Sequence, residues 1–199
     1  MTLIDLIRHG ETETPARLLG RTDPPLSEAG WGQFERQTAE RAWDAIVSSP
    51  LQRARMPAAQ LASARGVALR VDNDWAELDF GAWDGRALDE LQADAATADA
   101  VAALYQRADA SGAPGGESWS CLQARVARAI DRLLGEPLVA SLLVVTHAGP
   151  MRAAIALICA IPFANLWTFR IDPGTRITLR AGRDPRAGLW GEIVEVEQP

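Results

Sequence analysis

Two short, mostly apolar runs, residues 3–7 and 138–145, lead directly to the only two histidines of the chain, His9 and His147. Runs of this length and composition read as strands buried on both faces, the kind found in parallel sheets covered by helices. In open α/β sheets, ligands bind beyond the carboxyl ends of the strands. Arg8-His9-Gly10 and Thr146-His147-Ala148-Gly149 fall at such ends. One placement therefore constrains the fold and points to the site.

The rest of the chain alternates as an α/β fold requires. Residues 11–26 are irregular, with Pro15, Gly20, Pro24 and Pro25. Ser27 has the chemistry of an N-cap for a helix over 27–43. A strand over 44–47 turns through Ser48-Ser49-Pro50 into a helix over 51–65, which Gly66 ends. Residues 67–71 read as a strand and 72–85 as a loop. The alanine-rich, weakly amphipathic stretch 87–110 predicts helix in pieces, and with the Gly/Pro-rich break after it forms a lid or insertion over 87–116. Residues 118–134 carry apolar positions at helical spacing, and a helix over 151–159 follows His147. Residues 166–171, 176–179 and 189–196 read as strands, with Asp172-Pro173-Gly174 turning between the first two. The expected fold is α/β: a three-layer sandwich with a mixed, mostly parallel sheet and helices on both faces, in one domain over 1–199.

Composition narrows the chemistry. A formal charge of −6 weighs against nucleic-acid binding, which rests on neutralising phosphates. All 20 basic residues are arginine, so no lysine nucleophile, Schiff base or P-loop lysine is available. A phosphate site here must use arginine, histidine or backbone N–H groups. Cys121 and Cys159 lack metal-like or CxxC spacing and read as packing residues in a reducing compartment. No apolar run is long enough to span a bilayer and nothing resembles a signal peptide, so a cytoplasmic protein without a membrane partner is expected. With no HxH or HExxH spacing, no metal and no organic cofactor are expected. The oligomeric state stays open, a homodimer included.

Two further residues are candidates. Arg53 sits just inside a helix that follows a third strand, where a solvated arginine is the competing reading. Glu77 lies in a loop with Trp75, Phe80 and Trp83; a carboxylate beside aromatic rings is partly desolvated and suited to hold a proton, with a surface acid as the alternative.

Five signatures, taken together and in order, resemble the histidine phosphatase superfamily, which includes the cofactor-dependent phosphoglycerate mutases. They are Leu6-Ile7-Arg8-His9-Gly10-Glu11-Thr12; Gly20-Arg21-Thr22-Asp23 with Pro25-Leu26-Ser27-Glu28-Ala29-Gly30; Ser48-Ser49-Pro50-Leu51-Gln52-Arg53-Ala54; Glu77-Leu78-Asp79-Phe80-Gly81-Ala82-Trp83-Asp84-Gly85; and Val145-Thr146-His147-Ala148-Gly149. The resemblance implies that His9 is the nucleophile that becomes phosphohistidine. It implies that Arg8, Arg53 and His147 clamp the phosphoryl oxygens and that Glu77 donates a proton to the leaving group. The chemistry is consistent with this, since phosphoryl transfer needs an in-line nucleophile, donors around the equatorial oxygens and a proton for the leaving oxygen. The nucleophilic imidazole must be neutral at its attacking nitrogen, with its other nitrogen donating to a carbonyl near Gly10. Pro15 stands where an RHGxTxxN pattern commonly has asparagine, so one phosphate contact is missing or is supplied elsewhere; Arg17, Arg21 and Thr22 are the nearby candidates.

Within the superfamily, the blocks at 26–31, 79–85 and 114–118 are similar to those of alpha-ribazole phosphatases. This implies metal-independent hydrolysis of a small phosphorylated molecule, alpha-ribazole 5'-phosphate, with tryptophans such as Trp83 and Trp119 available to stack on its base. A broad-specificity small-molecule phosphatase, a protein phosphohistidine phosphatase, a phosphoglycerate mutase and a non-catalytic binding protein are the alternatives. The short chain between Glu77 and His147 favours hydrolysis over mutase action, and the full set of motif residues disfavours a non-catalytic role.

Overall fold

Strand β1 (Thr2–Arg8) sends alternate side chains to opposite faces of a sheet, and both faces are buried. Ile4 and Leu6 enter one apolar layer and Ile7 the other. Strand β4 (Ser141–Thr146) does the same, with Leu142 and Val144 on the first side and Leu143 and Val145 on the second. The computed structural model describes residues 1–108, 110–135, 140–186 and 188–199.

The remaining strands are β2 (Ala45–Ser48), β3 (Leu69–Val71), β5 (Arg176–Asp184) and β6 (Gly188–Glu197). The sheet order is β3-β2-β4-β1-β5-β6. The first four strands are parallel to one another, while β5 and β6 are antiparallel to their neighbours. Helices α1 (Glu28–Thr38) and α2 (Gln52–Arg65) supply Phe34, Ala54, Ala58 and Ala62 to the second layer. Helices α5 (Trp119–Gly135) and α6 (Ala148–Ile158) cover the first, with Leu122, Val126, Ile130, Met151 and Ile155 fully buried. Each such side chain contributes about 1.5–3 kcal/mol of transfer free energy. The expected mixed sheet with helices on both faces is the fold observed.

Several elements differ from expectation. Ser27 caps α1 through its side chain, but the helix ends at Thr38 rather than continuing to Trp43. Arg65 takes the carbonyls of Thr38 and Ala39, closing the helix end. Trp43 instead turns into the core, where its indole N–H donates to the buried carboxylate of Asp5 at 2.7 Å. The predicted strand at 166–171 is a 3-10 helix, Phe163–Thr168, followed by irregular chain. Pro162 precedes it, and the N–H of Asn165 returns to the Pro162 carbonyl, closing a turn where a ladder was expected. The start of the predicted strand at 138–139 lies outside the described residues.

The alanine-rich stretch forms α3 (Leu88–Ala93) and α4 (Ala98–Gln106). Its weak pattern conceals a real apolar side: Leu91 and Val101 are fully buried in the main core. Residue 109 of this stretch is outside the description. The loop 72–85 holds two short 3-10 turns, Asn73–Trp75 and Gly81–Trp83.

Candidate active site

In-register pairing of β1 with β4 sets Arg8 opposite Thr146, so the residues that follow each strand emerge side by side. The rings of His9 and His147 lie 5.0 Å apart at 63°. Strand β2, on the other side of β4, ends at Ser48 and delivers Ser49 and the start of α2 to the same place. Three parallel strand ends thus converge.

His9 is buried, and its Nδ1 lies 2.7 Å from the Gly10 carbonyl. A carbonyl only accepts, so Nδ1 carries the proton and Nε2 the lone pair. Burial, then the charges of Arg8 and Arg53, hold His9 well below its ordinary pKa of 6.5, against the opposing Gly10 bond. His147 is fully buried, and burial followed by Arg53 depresses it in the same direction. Both rings are therefore neutral at pH 7.

Arg8 donates to the Ile171 carbonyl at 2.8 Å and keeps a buried Nε without a partner. Arg53, fully buried, holds the 19–23 loop: it donates to the carbonyls of Leu19, Gly20 and Thr22 and to Asp23. Its Nε too is unpartnered. Glu77 accepts the N–H of Leu78 at 2.8 Å and that of Gly149, in the first turn of α6, at 3.1 Å.

A cavity of about 280 Å3 opens on this cluster, lined on its polar side by Arg8, His9, Arg17 and Glu77. Its other walls are aromatic or aliphatic: Phe80, Leu104, Tyr105, Trp119, Leu122 and Trp167. Arg152, also on the wall, packs its guanidinium 4.6 Å from the Trp167 ring centre. Arg152 makes only two long bonds, 3.5 Å to Ala148 and 3.3 Å to Phe169, and forms no ion pair among the described residues.

The loop candidates separate. Arg17 lines the cavity and donates to the Gly85 carbonyl. Arg21 instead pairs with Asp79 on the surface. The backbone N–H of Thr22 donates to Asp84, which also accepts from Gly20. Neither Arg21 nor Thr22 lines the cavity; both staple loop 19–23 to the 79–85 loop. Trp83 is buried away from the cavity wall, whereas Trp119 lies on it. Among the described residues, no group of three or more His, Cys, Asp or Glu side chains is arranged to hold a metal ion. Among the described residues, no helix is long and apolar enough to cross a membrane.

Sequence reasoning missed Arg125. From the buried side of α5 it donates to the backbone carbonyls of Asp74, Ala76 and Glu77 and, through two nitrogens, to Glu117. It fixes the loop that carries Glu77. The available signal was an arginine between Leu122 and Val126 in the apolar stripe of the helix.

The chain is similar in sequence and in fold to known proteins. The profile of the histidine phosphatase superfamily (branch 1) matches residues 4–189. The bifunctional protein Rv2228c of Mycobacterium tuberculosis is 36% identical over 178 residues, covering 86% of this chain and 48% of its own. The chain thus spans about half the length of that relative. The adenosylcobalamin/alpha-ribazole phosphatase of Salmonella typhimurium is 33% identical over 175 residues, 85% of each chain. Among solved structures, the mycobacterial glucosyl-3-phosphoglycerate phosphatase Rv2419c superposes with a TM-score of 0.85 at 25% identity over 97% of both chains.

Proposed function

The chain belongs to the histidine phosphatase superfamily, and from that premise we propose that it is a phosphatase that hydrolyses small phosphomonoesters through a phosphohistidine on His9, without a metal. The observation that carries this reading is the hydrogen bond from His9 Nδ1 to the Gly10 carbonyl, which leaves the Nε2 lone pair free beside Glu77 in one cavity.

In the first step Nε2 attacks phosphorus and the P–O ester bond breaks as the N–P bond forms. Glu77 passes its proton to the departing alkoxide. Arg8, Arg53 and His147 hold the equatorial oxygens, where charge stabilisation lowers the barrier most. In the second step water attacks phosphorus, Glu77 takes the proton of that water, and the N–P bond breaks to release inorganic phosphate and neutral His9. Arg17, on the cavity wall, is the residue that takes the phosphate contact absent at Pro15.

The substrate we assign first is alpha-ribazole 5'-phosphate. The Salmonella relative's name and the ring-lined wall of Phe80, Tyr105 and Trp119 support a flat leaving group. A second reading, a small phosphomonoester with an acidic leaving group, is favoured by Arg152, a cavity arginine with no carboxylate in ion-pair contact among the described residues, the charge of Glu77 acting on it from further away. The glycerate named for the mycobacterial structure carries such a group. In either case Leu104 and Tyr105 of α4 help recess the site, which supports the 87–116 segment as a cover and a small molecule over a phosphorylated protein as substrate. A cytoplasmic place fits such a substrate.

The test is turnover in EDTA of alpha-ribazole 5'-phosphate beside a panel of phosphomonoesters that includes 3-phosphoglycerate, with acid-labile phosphate trapped on the enzyme. A preference of a hundredfold, about 2.7 kcal/mol at the transition state, supports the first substrate. Slow, even turnover removes the named substrate, and dependence on added metal removes the mechanism.

A further inference from the structure

Ser49 is fully buried between the end of β2 and the start of α2. Its hydroxyl oxygen has two neighbours. The Leu51 N–H points to it at 3.3 Å, and Nε2 of His147 lies 2.7 Å away. A buried hydroxyl has one proton to give and two lone pairs to offer. The Leu51 N–H takes a lone pair and cannot take the proton. The neighbouring Ser48 hydroxyl donates to the Ser49 carbonyl, and no hydrogen bond joins it to the Ser49 hydroxyl among the described residues. Among the described residues, the only acceptor left for the Ser49 proton is the imidazole nitrogen.

We propose that Ser49 is a positioning residue that donates to His147 Nε2 and fixes His147 as the Nδ1–H tautomer, so that His147 offers the phosphoryl group a proton donor. The reverse arrangement, Nε2–H donating to Ser49, would leave the proton of a fully buried hydroxyl without an acceptor, which is costly. The chosen arrangement leaves His147 Nδ1 as the group without a partner, and among the described residues Nδ1 is a buried atom with no hydrogen-bond partner. Two adjacent neutral histidines then carry their protons on the same nitrogen and put them to opposite uses. In His9 the carbonyl of Gly10 occupies the proton and exposes the lone pair. In His147 the hydroxyl of Ser49 occupies the lone pair and leaves the proton without a partner among the described residues. A nucleophile and a donor are thereby distinguished without any difference in charge. The tautomer assignment stands on hydrogen-bond accounting; the use of the unpartnered N–H on a phosphoryl oxygen rests on the phosphatase reading above.

With only two histidines in the chain, the four ring nitrogens can be read directly from a long-range 1H–15N spectrum of the labelled 199-residue chain at pH 8, assigned with His9→Asn. The expected wild-type pattern is a protonated Nδ1 and an unprotonated Nε2 on both rings. In Ser49→Ala the His147 pair should move toward the other tautomer while the His9 pair stays, and Ser49→Thr should restore it. Turnover of a small phosphomonoester should fall about 10- to 100-fold in Ser49→Ala and recover in Ser49→Thr. A wild-type His147 protonated on Nε2, or a Ser49→Ala spectrum identical to wild type, overturns the proposal, and the first of these needs no variant to fold. A wild-type enzyme that hydrolyses no phosphomonoester yet shows the expected spectrum upholds the tautomer and removes the phosphatase reading instead.

Discussion

Replacing Gly149 with alanine should disable the proton donor while leaving the nucleophile intact. A methyl group at this position would stand 2.3 Å from Glu77 Oε1, and 3.4 Å from the Glu77 carboxyl carbon and from Leu122. The last two distances are ordinary contacts, so the carboxylate alone must retreat. Restoring van der Waals separation displaces it by about 1 Å, and a misplacement of that size costs about 10²-fold in rate. Proton donation by a positioned acid is itself worth about 10²–10⁴-fold, so the two magnitudes agree. The loss should depend on the leaving group. An alkyl phosphate needs the proton; p-nitrophenyl phosphate, whose phenolate leaves unaided, hardly does. For Gly149→Ala, kcat/KM should fall about 100-fold on the alkyl ester and less than about threefold on the nitrophenyl ester. Because Gly149 lies in the first turn of α6 and alanine is the better helix former, the melting temperature should not fall. Equal losses on both esters would refute the argument by locating the damage at His9 or His147.

Three more outcomes are expected. Arg125→Met leaves Glu117 and three loop carbonyls without their donor and should lower stability by about 3–5 kcal/mol in urea unfolding, with Glu117→Gln added to it recovering part of the loss. Both histidines are held well below 6.5 when folded, and near about 6.5 when unfolded, so the unfolded chain binds more protons below that value. Their contribution to stability is therefore complete above about pH 6.5 and declines as pH falls, by up to about 1.4 kcal/mol per pH unit for each ring; urea midpoints between pH 7.5 and 5.5 should drop less in a His9→Asn/His147→Asn double variant. If the cavity reads an acid, wild type should prefer 4-carboxyphenyl phosphate over phenyl phosphate by about tenfold or more, and Arg152→Met should bring that ratio near one; a ratio unchanged by the substitution would return the substrate to a neutral ring.

Much of the frame was legible because local chemistry and the frame coincide. The apolar runs of β1 and β4, the cap at Ser27 and the stop at Gly66 are all features of a few neighbouring residues. The histidines at the strand ends followed from the same local reading, whereas a carbonyl near Gly10 as partner of His9 was expected from the nucleophile role that the family resemblance implies, and the structure shows that of Gly10 itself. What escaped it depends on partners far away in the chain. Trp43 leaves its expected helix for Asp5, and Arg125 reaches back to carbonyls at 74–77. Arg21 and Thr22, close to His9 in sequence, are drawn off by Asp79 and Asp84. Arg152 was passed over because a helix arginine after a histidine looks solvated until Trp167 and the cavity are placed beside it.

The cavity has two sources. Its polar floor comes from the ends of β1 and β4, from the Glu77 loop and from Arg17 of the loop after β1, whereas its aromatic rim, Phe80 apart, comes from α4, α5 and the 3-10 helix at Phe163–Thr168, which lie outside the sheet. Selection can therefore act on the two separately. Changes at Tyr105, Trp119 or Trp167 alter which alcohol is accepted without shifting the register that brings His9 to His147. Relatives can thus keep one reaction and trade substrates, and an engineer seeking a new leaving group should randomise the rim and leave the strand ends alone.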